Sequence, residues 1–116
     1  MQAQFGCAPG VVRTRVGFTG GRTDNPTYRN IGDHTETVEV EWDPAVTDYP
    51  ALLSLFWAGH DPTAPAYSRQ YMSVIFWHDK QQQQQAEQSL AAARATAKRE
   101  VATVLLPAEQ FYPAEE

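Results

Sequence analysis

Three residues that can donate hydrogen bonds or hold protons lie close together in this chain: Tyr28, His34 and Glu36. The turn Asn25-Pro26-Thr27 leads into the phenol, because proline fixes its own φ and pushes the preceding residue toward an extended conformation. From Thr35 the chain alternates as far as Trp42. Glu36, Val38, Val40 and Trp42 therefore share one face of a strand, and Thr37, Glu39 and Glu41 share the other. A carboxyl group among apolar neighbours has two readings. Partly desolvated, its pKa rises and it holds a proton near neutrality; at the frayed start of the strand, it reaches water. The pattern by itself leaves both open.

Several elements must position these groups. Gln2 to Phe5 favour helix and read as the tail of one, and Ala8-Pro9-Gly10 is a turn. Val11 to Phe18 alternates as a strand that ends at Gly20-Gly21. The stretch from Arg22 to Asp33 is rich in turn formers, and a loop of that length inside a domain is usually functional. After the strand from Thr35 to Trp42, Asp48 is the expected N-cap of a helix with Pro50 in its first turn and an apolar stripe from Leu52 to Trp57. His60-Asp61-Pro62 stops that helix through a buried hydrogen bond. Tyr71 to Trp77 reads as a buried strand, Lys80 to Lys98 as a long polar helix capped by Asp79, and Glu100 to Leu106 as a last strand. The aromatic tail at Phe111-Tyr112 is expected to pack back over the body. This order predicts an α+β fold, helices layered on a mainly antiparallel sheet.

At 116 residues the chain suits a single domain, 1–116, with a composition 42% hydrophobic and 11% aromatic that argues for a packed globule. The formal net charge of −5 gives no basic footprint for nucleic acid. No apolar run approaches the ~20 residues of a membrane span, and the first ten residues lack a signal-peptide pattern. The expectation is a cytoplasmic monomer. With Cys7 the single cysteine, neither an internal disulfide nor a multi-cysteine metal site is expected.

Taken in order, the motifs resemble the A-type peptide methionine sulfoxide reductases across nearly the whole chain. They are Pro9-Gly10-Val11-Val12, Val16-Gly17-Phe18-Thr19-Gly20-Gly21, Asn25-Pro26-Thr27-Tyr28 and Gly32-Asp33-His34-Thr35-Glu36. Phe56-Trp57, His60-Asp61-Pro62-Thr63, Ser68-Arg69-Gln70-Tyr71-Met72-Ser73 and Phe111-Tyr112-Pro113-Ala114-Glu115 follow. The resemblance implies a ferredoxin-like α/β sandwich and thiol-dependent reduction of the S-epimer of methionine sulfoxide, free or in proteins, with no metal or bound cofactor. In the family a cysteine thiolate attacks the sulfoxide sulfur and becomes a sulfenic acid, while hydrogen-bond donors help the oxygen leave as water. Thioredoxin or another thiol then restores the enzyme. Glu36, Tyr28 and Tyr71 match the family's donors to the sulfoxide oxygen, an arrangement that stabilises developing negative charge. Phe18 is read as pocket wall beside the substrate; His34, which precedes the acid, either orients it at the substrate site or is a satisfied loop histidine, the second reading being favoured.

The resemblance also has gaps. The family's nucleophilic cysteine sits in a Gly-Cys-Phe-Trp box, which would fall immediately upstream of Met1, and the strand before that box is missing with it. That loss is expected to expose two strand edges. The C-terminus stops short of the family's usual continuation, and Ala66 stands where many members carry an aspartate. Cys7 lies more than two helical turns from the expected thiolate, with nothing basic beside it in sequence, and is read as a small buried or loop cysteine. The expectation is thus a reductase domain truncated at both ends and inactive alone. The alternative is a non-catalytic relative that binds oxidised methionine.

Overall fold

The alternating stretch that follows the Ala8-Pro9-Gly10 turn forms β1 (Val11–Thr19), and the one carrying Glu36 forms β2 (Thr35–Trp42). The structure, a computed structural model, describes residues 5–27, 30–64 and 72–114. β1 and β2 pair antiparallel, with Phe18 opposite Glu36, Val16 opposite Val38 and Thr14 opposite Val40. The opposite face carries the charges: Arg13 pairs with Glu41, and Arg15 Nε donates to Glu39 Oε1 at 2.8 Å. Charged cross-strand pairs on one face and apolar ones on the other fix the register, because a slip of one residue would exchange the faces.

The tail returns as expected. Tyr112–Pro113 forms a short strand, β5, antiparallel to β1, with Tyr112 opposite Phe18. Thr19 Oγ1 donates to Gln110 O at 2.7 Å and Ala114 N to Val16 O at 2.8 Å, and the Arg15 guanidinium lies over the Phe111 ring. Gly17 makes this possible: a Cβ there would lie 2.3 Å from Tyr112 O and 2.6 Å from Phe111 Cζ.

The rest of the chain builds a second unit. Helix α1 (Tyr49–Ala58) starts at Asp48, whose carboxylate accepts from Ala51 N, with Pro50 in the first turn. Strand β3 (Val74–Trp77) is followed by α2 (Lys80–Thr96), capped by Asp79 accepting from Gln82 N, and by β4 (Val104–Pro107). The core here is Leu53, Ile75 and Ala86, with Tyr49, Phe56, Trp57 and Leu105 packed on it. The two helices are tied by Trp57 Nε1 donating to Ser89 Oγ at 2.6 Å.

The fold is α+β with two helices and mixed sheets, which corrects the expected single, mainly antiparallel sheet in one respect. Among the described residues there are two sheets, β2-β1-β5 antiparallel and β3-β4 parallel. The parallel pair follows from α2, a crossover of the kind that parallel neighbours require. The last strand is also shorter than expected. Val101 and Thr103 are buried, but the backbone there turns aside, with Ala102 N bonded to Pro62 O at 2.7 Å. Gln2, Ala3 and Gln4 lie outside the described residues; Phe5 and Gly6 are helical. No helix among the described residues is long and apolar enough to cross a membrane.

Gly17→Ala is expected to drive β5 off β1 and to cost about 1–3 kcal/mol, as overpacking typically does. Urea unfolding measures it, and an unchanged midpoint with β5 still in place would contradict this account of the tail.

Candidate functional site

Glu36 shares its face of the first sheet with Val38, Val40 and Trp42, as the alternation predicts, and sits directly across from Phe18, which has 0% exposure. It is itself half-buried and opens onto a cavity of about 610 Å³. One wall of this cavity is β2, another is the Leu52, Leu53 and Phe56 face of α1, and a third is β3 with the preceding Met72 and Ser73. Trp42 and Tyr49 close one side, ring centroids 6.1 Å apart. Burial first, then Asp79, pushes the Tyr49 phenol up to about 12, so it remains a neutral donor across the ordinary pH range.

Tyr28 and Tyr71 lie outside the described residues. Their neighbours are described: Thr27 and Asn30 exchange backbone hydrogen bonds at 3.1 and 3.0 Å, and Met72 lines the cavity beside Ser73. Phe18 and His34 are fully buried and do not line the cavity. His34 has both ring nitrogens engaged. Nδ1 accepts from Gly21 N at 3.1 Å, so Nε2 carries the proton and donates to Thr23 O. The ring also meets Tyr112 edge-on, with centroids 5.4 Å apart, which couples the 21–34 loop to the returning tail. His34 thus holds the loop that leads to Glu36.

Asp33 works on the same loop, and the sequence reading missed it. Its carboxylate accepts from Arg22 N at 2.9 Å and from Thr23 N and Oγ1 at 3.2 and 3.1 Å. These donors, the backbone ones foremost, hold its pKa down at about 2. Gly32, at φ 65°, lets the chain turn beneath them, since a Cβ there would lie 2.3 Å from Thr23 Oγ1. The glycines around Asp33 were the available signal, but only the closed loop shows which amides it meets.

A second polar chain runs along the β3 wall. His60 Nδ1 donates to Phe56 O at 2.9 Å, which leaves Nε2 to accept from Ser73 Oγ at 2.7 Å. Ser73 in turn accepts from Thr103 Oγ1 at 2.7 Å, and Thr103 is 1% exposed. The expected buried bond at the helix stop is therefore present, and it extends to two residues that sequence spacing could not connect. Cys7 is exposed, not buried, in the turn between Phe5 and Val11. No group of His, Cys, Asp and Glu suited to a metal ion occurs among the described residues.

Residues 1–116 match the peptide methionine sulfoxide reductase family. The chain is 44% identical to peptide methionine sulfoxide reductase A5 of Oryza sativa subsp. japonica, over 98% of this chain and 47% of that one. It is 45% identical to MsrA of Nocardia farcinica, over 92% of this chain and 67% of the relative. Among solved structures, methionine sulfoxide reductase A of Corynebacterium diphtheriae superposes with a TM-score of 0.79 at 34% identity, covering 97% of this chain and 63% of that one. The chain spans about half the length of the rice relative.

The Asp33 contacts carry a pH dependence of known sign. Its folded pKa lies below the ordinary 3.8, so its support of the loop is complete above that value and is lost as pH falls through about 2. NMR shifts of the Arg22 and Thr23 amides are expected to titrate with a midpoint near that folded value. Asp33→Asn should weaken the contacts at every pH. Amide shifts that stay flat down to pH 2 would contradict it.

Proposed function

Because the chain belongs to the MsrA-type peptide methionine sulfoxide reductase family, an oxidoreductase family, we propose that it supplies the oxygen-binding half of a reductase for the S-epimer of methionine sulfoxide. The observation that carries this reading is Glu36, a carboxyl group on an apolar strand face, set against buried Phe18 and opening onto the cavity. In this reading Glu36, Tyr28 and Tyr71 donate to the sulfoxide oxygen, and the presence of Met72, next in the chain to Tyr71, on the same cavity wall supports the grouping. Phe18 backs Glu36, and His34 holds the loop that leads to it.

The chemistry is an oxygen transfer. A cysteine thiolate attacks the sulfoxide sulfur to form a sulfur–sulfur bond while the protonated oxygen leaves as water. Water then attacks the cysteine sulfur and breaks that bond, the sulfide leaving with the electron pair. The products are methionine and a cysteine sulfenic acid, with the donors stabilising charge on the departing oxygen. Two reducing equivalents from thioredoxin or another thiol return the sulfenic acid to thiol, releasing water. Cys7, exposed in its turn, is not that nucleophile in this proposal; the Gly-Cys-Phe-Trp box of the family is. In this reading the family's ferredoxin-like sandwich has its first strand ahead of that box, and residues 1–116 are inactive by themselves.

The test is turnover of methionine S-sulfoxide with dithiothreitol, for this chain beside one extended at its N-terminus by that strand and box, after both are shown to fold. Activity is expected only in the extended protein and should be indifferent to Cys7→Ser. There Glu36→Gln should lower kcat by ~10²–10³, the usual cost of losing one oxyanion donor. Turnover by this chain that disappears in Cys7→Ser would overturn the assignment.

A further inference from the structure

His60 does more than a helix stop requires. The end of α1 is already closed by Gly59 N, which donates to Phe56 O at 3.2 Å. His60 Nδ1 donates to the same carbonyl at 2.9 Å, and the Phe56 ring stands edge-on to the imidazole with centroids 4.6 Å apart. Together these contacts fix the tautomer and the plane of the ring, so Nε2 is left as an acceptor aimed at Ser73 Oγ, 2.7 Å away. Ser73 is held from other sides as well. Its hydroxyl oxygen accepts from Thr103, which is buried, and its carbonyl accepts from Val104 N at 3.0 Å where β4 begins. Side chain and backbone of this serine are tied at once.

We propose that His60 is a positioning residue for the reductase site. Through Ser73 it fixes the point from which the chain runs back to Tyr71, two residues earlier. Two peptide units reach no further than about 7 Å, so an anchored Ser73 confines the backbone that carries the Tyr71 phenol. The inference rests on the assignment of Tyr71 as a donor to the sulfoxide oxygen. Such a donor stabilises the departing oxygen only at the right distance, and a misplacement of about 1 Å costs up to ~10²-fold in rate. His60 needs no contact with the substrate for this. One nitrogen orients the ring, and the other serves Ser73 as a fixed acceptor.

Two substitutions separate the two nitrogens. His60→Asn keeps a donor near the place of Nδ1 and loses the acceptor, whereas His60→Gln reaches the place of Nε2 and keeps it. The first readout is NMR of this chain with isotope-labelled tyrosine. The Tyr71 ring signals, identified by their loss in Tyr71→Phe, are expected to move in His60→Asn and in Ser73→Ala and to hold in His60→Gln. Those of Tyr112, on the first sheet, should hold in all three and report an intact fold. Tyr71 signals that hold in both His60→Asn and Ser73→Ala would overturn the proposal. The second readout is turnover by the N-terminally extended protein. There His60→Asn should lower kcat ~10-fold or more with little change in KM, the pattern of a donor used only in the transition state, and His60→Gln should keep most of the rate. In a Tyr71→Phe background His60→Asn should lower kcat no further, because it acts through that hydroxyl. A further fall there would leave His60 a merely structural residue and overturn the proposal. An unchanged kcat in Tyr71→Phe alone would overturn the assignment of Tyr71 and the proposal with it. An unchanged kcat in His60→Asn, where Tyr71→Phe has lost activity, would overturn the proposal alone.

Discussion

Register in the β1–β2 ladder decides which side chains face the cavity, because a shift of one residue would send each of them to the other side of the sheet. Two sets of interactions hold it. Arg13–Glu41 and Arg15–Glu39 sit on the solvent side, and Phe18, Val16 and Val38 stack on the inner side. The exposed ion pairs contribute little energy of their own. Their effect is specificity: in a slipped register the arginines and glutamates would turn toward α1 and the valines toward water. Glu36 reaches the cavity only because this ladder is in register, and the tail finds β1 only because Gly17 leaves room for Tyr112 and Phe111.

The loop from Gly20 to Asp33 is the second constraint. Besides burying Pro26 and Ile31, it is held by hydrogen bonds to its backbone. Asp33 gathers the amides of Arg22 and Thr23, while His34 joins Gly21 N to Thr23 O across the loop. Using both histidine nitrogens in this way clamps the loop. A residue whose type suggests catalysis thus acts through geometry, setting where the next strand begins and so where Glu36 stands.

The second sheet obeys different rules. Its two strands are parallel and joined by α2, and its core is Leu53, Ile75 and Ala86. The His60–Ser73–Thr103 chain locks the end of α1 to the entrances of β3 and β4.

Much of this was legible in the chain alone, wherever the signal is local. Alternation from Val11 and from Thr35 specifies strands and their faces, and Asp48 and Asp79 specify where helices begin, because caps and strand faces depend on residues a few positions apart. The ordered motifs also carry the family. What the sequence could not decide depends on groups far apart along it. The parallel pairing of β3 and β4, the partners of Asp33 and the link from His60 to Thr103 all arise from tertiary approach. A hydrogen-bonded loop histidine at position 34 was legible from the sequence, but its two partners, Gly21 N and Thr23 O, come only from the closed loop.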